Sequence, residues 1–217
     1  MRELFQKQLE ALHVMLIEMG ALCEQVIERT YKVILSEDKA VAAEIIEKDS
    51  VIDLKEREIE SACLKLLLHQ QPVATDLRQV SAALKMITDM ERIGDQAADI
   101  ADIVKTSKAL KAAAAATRIG DMAKATMRMV TESIDSFVKQ DLDIARKVID
   151  DDEAVDTLFL EIKHQLADAM TNDIQNKETI LDILMIAKYY ERIGDHATNI
   201  AEWVEFAITG EHRKEAE

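Results

Sequence analysis

The sequence predicts an all-α protein built as two tandem three-helix bundles related by an internal repeat. Three observations carry that reading. The chain has 217 residues, 48% of them hydrophobic, with only 5 glycines and 1 proline, which is too little turn-forming material for a sheet-rich fold. Its apolar residues recur at spacings of three and four, the period of a helix face. Finally, ERIGDQAADIAD, Glu91 to Asp102, returns without a gap as ERIGDHATNIAE, Glu191 to Glu202.

The first helix is expected from about Glu3 to Leu35, on the stripe Leu9, Leu12, Leu16, Met19, Cys23, Val26 and Ile27. Ser36, opening the polar stretch SEDK, is the candidate cap of the second. That helix carries Ile45, Ile52, Ile59, Cys63 and Leu66 and should end at Pro72, which can neither donate a hydrogen bond nor tolerate a helical residue before it. A third runs from near Thr75 to about Val104. The alanine-rich stretch Lys105 to Arg118 marks a seam and favours helix itself, continuous or lightly broken. The second half repeats the plan with helices at about Arg118 to Val138, Asp141 to Met170 and Lys177 to Ile208. The two bundles are therefore expected over residues 1–108 and 109–217.

Charge narrows the function. A net charge of −15, spread over every segment, argues against nucleic acid as a ligand and for cations or basic protein surfaces as partners. The N-terminal stretch breaks its apolar residues with charges, unlike a signal peptide, and no apolar run is long enough to span a bilayer. A cytoplasmic protein is expected, with Cys23 and Cys63 as buried free thiols.

The repeated motif stacks Glu91, Asp95, Asp99 and Asp102 on one strip of a helix. The apolar stripe of Met86, Met90, Ile93, Ala97 and Ile100 lies nearly opposite, so the acids should face outward. Small residues, Gly94, Ala98 and Ala101, run between the strips and would let a neighbouring helix approach. Gly94 and Gly194 should thus sit inside helices, at close helix contacts. The second helix of each half brings a DxxxD pair, Asp49 with Asp53 and Asp152 with Asp156. Like charges four apart repel by a few tenths of a kcal/mol per pair. Two readings follow. The converging carboxylates hold a hard or intermediate cation such as magnesium, calcium, manganese or iron, or they are a solvated helix face.

Catalytic signatures are scarce. Glu161 with His164 is an ExxH pair within a helix, the pattern a ferritin-like di-metal centre needs on two helices together with further inward-facing glutamates. There is no phosphate-binding glycine loop, no HExxH and no GxSxG. His196 offers a ligand inside the second motif, but its counterpart is Gln96, which favours a polar surface role. His13 and His69 are isolated and read as structural, and Arg92 and Arg192 read as helix-face ion pairs or phosphate contacts.

The two ERIGD blocks, the paired DxxxD segments and the phrase HQQPVATDLRQV, His69 to Val80, together resemble the PhoU family, the phosphate-signalling regulators associated with the phosphate-specific ABC transporter. The resemblance covers nearly the whole chain. It implies two similar three-helix bundles side by side. It also implies iron clusters or other metal ions, zinc, magnesium or manganese, held on the outer surface by E(D)xxxD motifs. By position the ligands would be Asp49, Asp53, Glu91, Asp95 and Asp99, and in the second half Asp152, Asp156, Glu191, Asp195 and Asn199. Asn199 departs from the pattern, since it stands where the first half has Asp99 and carries no charge, so the second site should hold metal more weakly.

By the same resemblance the protein is a regulator and not an enzyme. It would restrain the transporter when phosphate is plentiful, through the ATPase subunit, and hold a PhoR-type sensor histidine kinase in its non-signalling state. It would be a homodimer that meets the membrane only through its partners. A metal-dependent hydrolase or oxidase, and a purely structural helical scaffold, are the rival readings.

Overall fold

A computed structural model describes residues 2–70, 73–172 and 176–211. Its elements are α1 (Arg2–Ser36), α2 (Lys39–Gln70), α3 (Ala74–Thr106), α4 (Leu110–Ala115), α5 (Ile119–Lys139), α6 (Leu142–Asn172) and α7 (Lys177–Thr209). No strand occurs among the described residues. α1–α3 pack together as one bundle and α5–α7 as the other, joined along α3 against α7 and α1 against α5.

The expected stripes are the buried ones. Leu9, Leu12, Leu16, Met19, Cys23 and Ile27 of α1 and Ile45, Ile52, Ile59, Cys63 and Leu66 of α2 all lie in the core, as do Met86, Met90, Ile93, Ala97 and Ile100 of α3. Burying such branched side chains contributes roughly 1.5–3 kcal/mol each, and this, not intrinsic propensity, holds helices of such length in place. Cys23 and Cys63 are free and buried. Burial pushes both thiols up to about 12, which leaves them protonated and poor ligands.

The turn from α1 into α2 differs from expectation. Asp38, not Ser36, caps α2, its Oδ1 accepting the N–H groups of Ala40 (2.9 Å) and Val41 (3.2 Å). Glu37 takes a left-handed conformation (φ 54°), which turns the chain sharply and carries the helix start past Ser36. The second half repeats the device. Gln140 is left-handed (φ 51°) and Asp141 Oδ1 accepts from Asp143 (3.0 Å) and Ile144 (3.1 Å) at the start of α6. Pro72, the expected end of the second helix, lies outside the described residues. The seam is a broken helix: the short α4 stands between α3 and α5, entered through left-handed Ala109 (φ 58°).

α3 and α7 run antiparallel across the boundary between bundles. Arg78 Nε donates to Ala207 O (3.4 Å), Asn199 Nδ2 to Asp89 Oδ1 (3.1 Å), and Ser107 Oγ to Asp182 Oδ2 (2.5 Å). A second tie is fully buried: the Tyr190 hydroxyl of α7 lies 2.9 Å from Thr30 Oγ1 of α1. No helix among the described residues is long and apolar enough to cross a membrane.

Candidate functional site

The repeat places two acidic clusters in matching positions, one where α2 meets α3 and one where α6 meets α7. Each forms because a glycine of the motif lets the neighbouring helix come close. A Cβ built on Gly94 would stand 2.8 Å from Asp49 Oδ1 and 3.0 Å from Ile52 Cδ1. One on Gly194 would stand 3.3 Å from Val155 Cγ1 and 3.5 Å from Asp152 Oδ1. Both glycines are buried within their helices. The DxxxD aspartates thus lean over the ERIGD helix, as the small-residue seam predicts.

The acids are less solvated than an outward face implies. Glu91 and Asp95 are half-buried and only Asp99 and Asp102 are exposed, because α2 overhangs the first two turns of the column. Burial, then the charges of Asp95, Asp53 and Asp99, pushes the Asp49 carboxyl up to about 6. Asp152 is pushed to about 6 as well, by burial and then by Asp195 and Asp156. Burial also raises Glu91, with Asp95 adding to it, and raises Asp195, with Glu191 adding to it. Asp99 rises through lost hydration and then Asp95.

The surroundings of the two clusters differ. In the first, Asp49, Arg92, Asp95, Gln96, Asp99, Arg192 and His196 line one groove. Arg92 pairs with Asp95 (2.8 Å) and Glu91 (3.4 Å) as a helix-face ion pair. Glu56, one turn beyond Asp53, joins the cluster: Asp53 raises its pKa, after burial and Glu60, and the Thr88 hydroxyl donates to it. Sequence reasoning missed Glu56, although its spacing of three from Asp53 on the same helix face was the available signal. In the second cluster the ammonium of Lys188 pairs with Glu191 and lies 5.5 Å from the centroid of the Phe159 ring.

Other expected residues fall differently. Gln96 is buried, with Oε1 lacking a hydrogen-bond donor, and its repeat mate His196 is half-buried at the α3–α7 seam, Nδ1 2.9 Å from Asp89 Oδ1. Neither is a plain surface residue, because the antiparallel packing of α3 on α7 covers that position in both halves. Asn199 shares the same Asp89 carboxylate, so its amide is turned across the seam. Glu161 is held by Arg118 (2.8 Å), not by His164. His13 packs edge-on against Phe137 at 5.4 Å, and burial lowers its pKa. His69 lies in α2, its side chain outside the description.

Among the described residues, no group of three or more His, Cys, Asp or Glu side chains is placed to hold a metal ion. The first cluster nevertheless fits a hard cation chemically. Asp49 Oδ1 and Gln96 Oε1 are both buried acceptors without a donor, they line the same groove as Asp95 and Asp99, and all are oxygen ligands.

With fold and clusters placed, the family can be read from comparison. The PhoU domain model matches residues 16–104 and again 109–204. The chain belongs to the PhoU family. It is 36% identical over 210 residues to the phosphate-specific transport system accessory protein PhoU homolog of Clostridium acetobutylicum, covering 96% of each chain. The crystal structure of PhoU from Pseudomonas aeruginosa superposes with a TM-score of 0.86 at 31% identity, over 95% of this chain and all (100%) of that one. That of the phosphate transport system regulatory protein PhoU from Streptococcus pneumoniae superposes with a TM-score of 0.89 at 26% identity, over 97% of this chain and 99% of that one. These names describe accessory and regulatory proteins, and the reading against an enzyme follows the family.

Proposed function

We propose that the protein regulates a phosphate-specific transport system by protein contact, restraining uptake and phosphate-starvation signalling when phosphate is plentiful. The observation that carries this is the match of nearly its whole length to proteins named for that system. Its partners are the transporter's ATPase subunit and a PhoR-type sensor histidine kinase, and it acts as a cytoplasmic homodimer. Two rigid bundles present broad faces for such contacts, and the charge of −15 favours comparatively basic partner surfaces.

Metal ions, iron clusters foremost, with zinc, magnesium or manganese as alternatives, belong to the same proposal. Asp49, Asp53, Glu91, Asp95 and Asp99 would hold them in the first cluster, with Asp152, Asp156, Glu191, Asp195 and Asn199 as the weaker set. A bound cation supplies positive charge between two helices whose carboxylates otherwise repel. The residues themselves do the rest: the glycines set the helix spacing, and the acids fix which faces meet.

The test is a deletion and a pull-down. Deleting the gene should leave phosphate-starvation genes switched on in rich phosphate, and the tagged protein should retain the kinase and the ATPase subunit in a salt-sensitive way. Normal repression in the deletion strain, together with turnover of a small substrate by the purified protein, would replace this reading with an enzymatic one.

A further inference from the structure

We infer that Lys188 is the resident counter-ion of the second acidic cluster, standing where the first cluster would take a metal ion, so that only the first cluster binds metal in this chain. The inference rests on the metal reading of the first cluster proposed above, and it concerns a residue outside both acidic motifs.

The geometry points to it through the repeat. Lys188 corresponds to Thr88, one turn ahead of the motif in α7 and α3, and Phe159 corresponds to Glu56 on α6 and α2. In the second cluster those positions hold an ammonium over an aromatic face at 5.5 Å, paired with Glu191 of the motif. The same charge reaches Asp195. Lys188 therefore spans α6 and α7 as a cation does, touching the ring of one helix and the carboxylate of the other. In the first cluster the matching place holds a hydroxyl donating to a carboxylate, Thr88 to Glu56. Arg92 pairs with Glu91 and Asp95 of its own helix, α3, and the motif carries this arginine in both halves, as Arg92 and Arg192, so what sets the second cluster apart is a lysine seated on a ring of the facing helix.

Three further differences agree. The first cluster gains an acid at Glu56 where the second has an aromatic ring that cannot ligate. Asn199 replaces Asp99 and gives its amide hydrogen to Asp89. Asp49 Oδ1 and Gln96 Oε1, which line the first cluster's groove, are buried acceptors without a donor, whereas their repeat mates Asp152 and His196 carry no such atom. A tethered ammonium is present whatever the metal supply, at an effective concentration that a dilute ion must compete against. The second bundle is then held closed permanently, and the first responds to metal.

Manganese(II) titrated into the chelator-stripped full chain tests this, read by calorimetry and by electron paramagnetic resonance. Asp95→Asn should weaken or abolish binding by at least about tenfold, while Asp195→Asn should leave it unchanged. Lys188→Thr should add a second class of sites that disappears when Asp195→Asn is added, and Lys188→Arg should add none. Circular dichroism confirms that each variant folds, and the Asp195→Asn arm stands even where Lys188→Thr does not fold. Equal loss of manganese in Asp95→Asn and Asp195→Asn, or no gained site in folded Lys188→Thr, overturns the inference. No manganese in the native chain but uptake by Lys188→Thr would sink the first-cluster reading alone and uphold Lys188; none in either would sink both.

Discussion

Asp49 Oδ1 lies 2.8 Å from the point where a Cβ on Gly94 would stand, closer than its repeat mate Asp152 Oδ1 lies to Gly194, at 3.5 Å. The two bundles share a plan, but the first is packed more tightly at its acidic cluster. Both the stability of the helix pair and the hydration of the aspartate depend on that missing methyl.

Gly94→Ala should therefore destabilise the protein, by about 1 kcal/mol or more, since overpacking outweighs the roughly 1 kcal/mol gain in helix propensity. Gly194→Ala should fall closer to native stability, because its nearest neighbour, Val155 Cγ1, stands at 3.3 Å. Leucine at either site should cost well over about 1 kcal/mol. Urea unfolding followed by circular dichroism measures all four variants, and equal costs for the two alanine variants would show that the difference in spacing does not matter.

The pH dependence follows from Asp49 and Asp152, both held near about 6 chiefly by burial. Between the ordinary aspartate value and that level the folded state binds more protons than the unfolded chain, so these groups make stability fall as pH rises through the window from about 4 to about 6. Asp49→Asn should match the native chain near about pH 4 and exceed it above about pH 7 in chelator, since the neutral amide escapes first the cost of burying a charge and then the repulsion. A bound cation favours the ionised carboxylate, so added manganese should shrink the advantage. Denaturant midpoints at the two pH values decide it, and an Asn variant less stable at both would show that the ionised Asp49 carboxylate is not penalised in the folded state.

Asp38 and Asp141 each start the second helix of a bundle, after a left-handed residue. Asp38→Ala and Asp141→Ala should each cost about 1 kcal/mol. Ser36→Ala should cost less, because Ser36 Oγ accepts only a long 3.4 Å bond from Asp38 N. Thermal melts of the three variants would show it, and a larger loss at Ser36 would restore the serine as the cap.

That cap marks where the sequence stopped being legible. Helix stripes such as Leu9 to Ile27 repeat over many turns and are legible from period alone, as is the glycine seam, because small residues beside an acidic column have few other uses. The choice between Ser36 and Asp38 turns on one left-handed residue, Glu37, which leaves no periodic trace. The same limit applied at the site. Asp49 and Asp53 were visible as a repeated pair, but Glu56 and Lys188 are unlike their repeat mates, Phe159 and Thr88, so a search for what the halves share passed over both. The burial of Gln96 and His196 depends on how α7 crosses α3, which no local pattern encodes.

The contact between Thr30 and Tyr190 is the deepest polar link between the bundles. Thr30 Oγ1 donates to Ile27 O at 2.7 Å, so the Tyr190 hydroxyl must donate to Thr30 across 2.9 Å. Both side chains are fully buried, which makes the two ends unequal. Tyr190→Phe removes a donor from a threonine that keeps its own bond to Ile27, and should cost about 1 kcal/mol. Thr30→Val strands a buried phenol and should cost more, in the range of about 1–3 kcal/mol. Once the phenol is gone nothing is stranded, so the double variant should be less destabilised than the sum of the singles. Urea unfolding of the four proteins completes the cycle. Strict additivity would mean that the hydroxyls do not interact, and that the angle between the bundles, with the faces offered to any partner, is held by apolar packing alone.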